Sequence, residues 1–144
     1  MKPVGSHSDY EEDRDRDIMR VYRDIVCSCA HIRLGDIMTR LVNSPSRRFW
    51  VSEERAYIVM LFIMRGDSLE PMSPTKREMF REIHRRVCRM RALHPDRTIN
   101  ECTRLVIMQP APKFYLTPGS AKVIIHRIKK RCYEERRQKL RHLF

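Results

Sequence analysis

The segment Pro45-Ser-Arg-Arg-Phe-Trp-Val-Ser52, followed by Ala56, returns later in the chain as Pro110-Ala-Pro-Lys-Phe-Tyr-Leu-Thr117, followed by Ala121. Such self-similarity is read before anything else, because a missed repeat misassigns the whole fold. Outward from this segment, Thr39-Arg-Leu-Val42 recurs unchanged as Thr103-Arg-Leu-Val106. Further back, Asp17-Ile-Met-Arg20…Val26-Cys27 runs parallel to Glu78-Met-Phe-Arg81…Val87-Cys88. The offset grows from 61 to 64 to 65 residues, which places short insertions in the second copy, the largest around Leu93–Asp96.

Each copy reads as helix, helix, extended link, helix. In the first, a helix over 9–30 carries acidic residues in its opening turns, where they complement the helix dipole, and Ile18, Val21 with Tyr22, Ile25 and Cys29 form one stripe. In the second, Ser73 caps a helix over 74–93 with Pro74 at its first position, and Met79, Phe80, Ile83, Val87 and Met90 form the stripe. Thr98-Ile-Asn-Glu101 has capping-box spacing at the next helix. Phe49 and Val51, like Phe114 and Leu116, alternate with an aromatic residue, so the links are extended and are the two places where short strands fit. Ser52 and Thr117 then stand as N-caps of the last helix of each copy.

The expected fold is therefore mainly α: tandem duplicated three-helix units sharing one core. The first unit covers 9–73 and the second 74–144, after a disordered 1–8, with Gly66–Ser73 as the joint. The last helix of the first unit is apolar nearly all round through Val59-Met-Leu-Phe-Ile-Met64. A helix of that kind is buried, which makes it the hub between the units. The alternative is an exposed interface through Tyr57, Leu61 and Met64.

Composition excludes several classes. The chain has 144 residues, 42% of them hydrophobic, enough for a core. Its longest apolar run, Ala56–Met64, is nine residues, where a membrane span needs roughly 20. No secretory leader or lipidation pattern is visible, and the odd number of cysteines, five, reads as reduced thiols, so a cytoplasmic setting without membrane attachment is expected.

Net charge is +12, but residues 1–73 carry 11 basic and 12 acidic side chains, while residues 74–144 carry 19 and 6. A basic field attracts polyanions, and Lys and Arg neutralise phosphates with release of counterions. The expected function is non-enzymatic nucleic-acid binding, DNA rather than RNA. The contact residues are Arg85, Arg86, Arg89, Lys113, Lys122, His126, Lys129, Lys130, Arg136 and Arg137. The bland alternative is a solvated basic helix whose Glu134 and Glu135 pair with its own cations. The arrangement is helix-turn-helix-like, except that a link of about eight residues replaces the usual turn of three to four. Phe49-Trp50 and Phe114-Tyr115 suit base stacking, although the phenylalanines are better read as core plugs, with Trp50 and Tyr115 the more exposed partners.

The competing class is a protein-interaction or assembly module docking through 53–65 or the aromatic links, with a homodimer or an acidic protein as partner. Cys27-Ser-Cys29-Ala-His31 has the wrong spacing for zinc on a helix, and Arg65-Gly-Asp67 is a helix end capped by Gly66. No phosphate loop, nucleophile elbow or carboxylate pair marks an enzyme, and no cofactor or metal is expected. Arg48-Phe-Trp-Val-Ser-Glu-Glu-Arg-Ala56 and Pro110-Ala-Pro-Lys-Phe-Tyr-Leu-Thr-Pro-Gly-Ser-Ala121 resemble segments of small basic proteins of Bacteroidetes phages and mobile elements. That resemblance implies a bacterial or phage setting and brings no functional residues with it.

Overall fold

A computed structural model describes residues 10–28, 31 and 33–143. The expected disordered N-terminus and Cys29 lie outside the described residues. Among the described residues six helices follow in order: α1 (Glu11–Ser28), α2 (Leu34–Val42), α3 (Glu53–Met64), α4 (Pro74–Leu93), α5 (Ile99–Ile107) and α6 (Pro118–Leu143). The fold is mainly α, as the periodicity requires. The links form no strand among the described residues; they meet in one antiparallel bridge, Ser46 to Ala111.

The caps explain where the helices begin and end. The Ser52 hydroxyl accepts from the Arg55 N–H (3.2 Å) and Thr98 from Glu101 (3.1 Å). Thr117 accepts from Ser120 (3.1 Å). Each satisfies a first-turn donor that has no helical partner. Ser73 departs from expectation: its side chain makes no cap bond to the backbone and pairs with the Thr75 hydroxyl instead. At the end of α3, Gly66 has φ +84, the Asp67 N–H bonds to the Phe62 carbonyl, and the Gly66 N–H to that of Ile63. This is a Schellman ending, which glycine adopts without the Cβ penalty of other residues.

The packing corrects the expected grouping of helices. α6 packs on α1 and α2, whereas α3 packs on α4 and α5. Each three-helix group thus takes two helices from one sequence half and its third from the other. Two apolar clusters result. One gathers Phe49, Val59, Met60, Phe80, Ile83, Val87, Val106 and Ile107. The other gathers Ile18, Val21, Ile25, Met38, Leu41, Phe114, Ile124 and Ile125.

α3 is accordingly no hub covered by both units. It buries Ala56, Val59 and Met60 and leaves Ile58, Leu61 and Phe62 exposed; of the expected interface stripe only Leu61 is exposed, while Tyr57 is half-buried and Met64 packs against the core. The reason lies in the links, which cross. The Ser46 and Ala111 N–H groups each bond to the other's carbonyl, and the Phe49 N–H bonds to the Ile107 carbonyl while that of Phe114 bonds to Val42, all at 3.0 Å. Every pair is reciprocal at an offset of 65 residues. The chain leaving α2 therefore passes the end of α5, and the chain leaving α5 passes the end of α2.

Candidate nucleic-acid interface

Exchange of the third helices redistributes charge. Helices α1, α2 and α6 carry 14 Lys/Arg against 9 Asp/Glu, and α3, α4 and α5 carry 9 against 5. The basic sequence half is thus not a basic half of the molecule. α6 alone holds nine Lys/Arg and two Glu, and it lies against α1, the most acidic helix. Glu12, Asp15, Arg131 and Glu135 line one groove between the two.

The opening turns of α6 bury Ala121, Ile124 and Ile125, while every residue from Lys129 to Leu143 is exposed. The helix spans about 39 Å at 1.5 Å per residue. Lys122, His126, Lys130 and Arg137 are exposed at helical spacing, with Tyr133 between them and the Arg137 guanidinium 5.9 Å from the Tyr133 ring. Lys129 is held down: its Nζ donates to the Tyr22 hydroxyl (2.8 Å) and lies 4.6 Å from that ring. Among the described residues no ion pair joins any α6 cation to a carboxylate, Glu134 and Glu135 included.

The other expected contacts fall elsewhere, since α4 and α6 do not pack together. Arg85, Arg86 and Arg89 share a groove of about 360 Å³ with His94 and Gln109. Arg85 and Arg86 both bind Glu82, at 2.6 and 2.9 Å. The Arg85 hydrogen bond, ahead of that from Arg86, holds the Glu82 carboxyl below the usual carboxylate range although burial pushes it up. Arg86 also donates to Gln109 and the Pro110 carbonyl and lies 5.0 Å from the Phe49 ring, so it fastens the second link to α4. Lys113 pairs with Glu78 and covers Tyr115. Arg89 is the exposed cation of this group without an ion pair among the described residues.

No protein-family model matches the chain. No curated protein and no solved structure matches it either.

The aromatic links resolve as core. Phe49 and Phe114 are buried, as expected. Tyr115, expected to be exposed, is buried too, because its ring stacks on Phe49 (5.9 Å between centroids) beneath Lys113. Trp50 is half-buried: its Nε1–H donates to Asp17 (3.2 Å), its ring stacks on Tyr10 (6.3 Å), and Arg48 lies 5.2 Å from it. Among the described residues no group of three or more His, Cys, Asp and Glu side chains could hold a metal ion, and no helix is long and apolar enough to cross a membrane. Sequence reasoning missed Tyr10, Arg14, Arg55 and Lys76, which line a cavity beside Trp50. Arg14, Arg55 and Lys76 come from three helices and Tyr10 from the turn before α1, and no local motif links them.

Proposed function

We propose that the protein binds nucleic acid, DNA rather than RNA, without catalysing a reaction, and that α6 is its main phosphate-contacting element. The observation that carries this reading is a helix with nine Lys/Arg, solvent-facing over its distal half, whose cations make no ion pair among the described residues. Cations left unpaired on an ordered helix attract phosphates without first breaking an internal bridge. The stripe from Lys122 to Arg137 extends about 22 Å, enough to face several phosphates. A single helix fits the B-DNA major groove, while that of A-form RNA is too narrow for side chains to read, which favours DNA. Arg89 and its neighbours on α4 form a separate, weaker anion surface.

The test is anisotropy with a labelled DNA duplex across a salt series, using the combined variant Lys122→Glu, Lys130→Glu and Arg137→Glu. Affinity is expected to fall with salt, and the variant to bind at least tenfold more weakly. Its salt slope should be shallower by about 0.9 for each phosphate it no longer neutralises. Binding indifferent to salt or to these substitutions would refute the proposal.

A second reading, docking of a protein partner through α3, is favoured by one observation. Ile58, Leu61 and Phe62 are 38, 37 and 37% exposed on a single helix. Copurification that depends on these three residues and not on α6 would favour it.

A further inference from the structure

We infer that the cavity where α1, the first link and α4 meet is a binding site for a nucleotide, its base lying against Trp50 and its phosphate meeting Arg55 and Lys76. The cavity holds about 380 Å³, within the range of small-molecule pockets. Tyr10, Trp50, Phe80, Phe114 and Leu116 supply apolar and aromatic wall, and among the described residues no carboxylate lines it. A flat, weakly polar group is what such walls accept.

The charged part of the ligand follows from the cations. Arg55 and Lys76 line the cavity, are exposed, and make no ion pair among the described residues. Arg14 also lines it; Arg14 faces Glu11 and Asp15, but its Nε–H is buried with no acceptor among the described residues. A buried donor without a partner carries a desolvation cost that an acceptor oxygen or ring nitrogen removes. Three cations, one with an unanswered donor, beside an aromatic wall call for an anion attached to a planar ring.

The wall is already fixed. Trp50 is pinned by Asp17 and Tyr10, and Arg48 is tied to the Phe49 and Val51 carbonyls (3.1 and 3.0 Å). Side chains ordered before binding lose little freedom on binding. The site shares no residue with α6 and stands independently of the reading given to that helix. Its ligand has two sources with the same chemistry, a free nucleotide or an unpaired base of a strand.

Trp50 is the single tryptophan of the chain, so its emission reports on this cavity. The full chain is titrated with AMP, with inorganic phosphate, and with a short single-stranded oligoadenylate, and equilibrium dialysis of labelled AMP and oligoadenylate serves as a second readout. AMP is expected to change Trp50 emission saturably and phosphate to leave it unchanged. Tighter binding of the oligoadenylate identifies a strand as the source, and equal or weaker binding a free nucleotide. The variant Arg55→Glu with Lys76→Glu alters two exposed side chains and is expected to weaken binding at least tenfold. The α6 triple variant is expected to leave AMP binding unchanged, which separates this site from the α6 surface. The inference is overturned if neither AMP nor the oligoadenylate is retained, or if the Arg55/Lys76 variant binds them as well as the unaltered chain.

Discussion

Asp17 shows what one residue contributes. It is 1% exposed, yet its Oδ2 accepts from the Arg47 N–H (2.9 Å) and Trp50 Nε1–H (3.2 Å), and its Oδ1 from the Arg20 guanidinium (2.6 Å). It ties α1 to the first link. Removing a buried charge from such a network strands every donor that faced it. Asp17→Ala is expected to lower unfolding free energy by about 3 kcal/mol, read by urea denaturation with Trp50 emission as probe. A loss under about 1 kcal/mol would show that water replaces the carboxylate. Tyr115 makes a different demand. Its φ is +55, a left-handed conformation unusual for a bulky residue. Burial, foremost, and then Glu82 push its hydroxyl up to about 12 from the ordinary 10.0. An unfolded tyrosine loses its proton near 10.0 while the folded one keeps it to about 12, so the unfolded state binds fewer protons in that window and stability falls as pH rises through it. Below 10.0 both states are protonated and this contribution is fully present. Tyr115→Phe is expected to flatten the decline in melting temperature between pH 10 and 12; an equally steep decline in the variant would assign the effect to other groups, Tyr10 among them.

The individual helices were legible because their signals are local. Pro74 after Ser73 and the stripe from Met79 to Val87 place α4 at 74–93, and Pro74–Leu93 is what forms. Thr98 and Thr117 cap where their spacing implies. Register was less legible. Sequence identity aligns Asp17 with Glu78, whereas the buried positions Asp17, Ile18, Val21 and Ile25 match Met79, Phe80, Ile83 and Val87, one residue further on. The identity pairs an exposed residue with a buried one, Val26 with Val87, whereas burial follows the helix face. The partner of each helix was not legible at all. Ala56, Val59 and Met60 in α3 and Ala121, Ile124 and Ile125 in α6 are the same positions at an offset of 65, all buried. An apolar stripe states that a face is covered and is silent about what covers it. The outer faces then differ: Ile58, Leu61 and Phe62 on α3 stand where Val123, His126 and Arg127 stand on α6. Among the expected contact residues, Lys113 could not be told from a free cation, because Glu78, which holds it, is 35 residues away; for Arg86 the pair with Glu82 at i,i+4 was legible, but its bonds to Gln109 and Pro110 across the fold were not. The cavity beside Trp50 was invisible for the same reason.

At the scale of the whole molecule, crossing of the links makes the two sequence halves mutually dependent. Cutting the joint between Asp67 and Ser68 leaves one fragment with α1, α2 and α3, and another with α4, α5 and α6. Neither fragment holds a complete core, since α1 and α2 need α6 to cover Ile18, Leu41 and Val42, and α4 and α5 need α3 to cover Phe80, Ile83 and Val106. Two helices facing water with such residues bury too little apolar surface to offset the entropy of ordering the chain. Each fragment alone is therefore expected to lack a cooperative unfolding transition, and an equimolar mixture to recover one together with the helicity of the intact chain. Sedimentation of the mixture should give a one-to-one complex. The reciprocal bonds of Ser46 with Ala111, and of Phe49 and Phe114 with the opposite helix ends, would then form between separate chains. A fragment that unfolds cooperatively as a monomer would mean that its own three helices close a core, and the exchanged packing could not stand. The same mixture carries the charge to its place: only when the fragments associate does basic α6 lie along acidic α1, so the salt dependence of any DNA binding by the second fragment is expected to be steeper alone than in the complex.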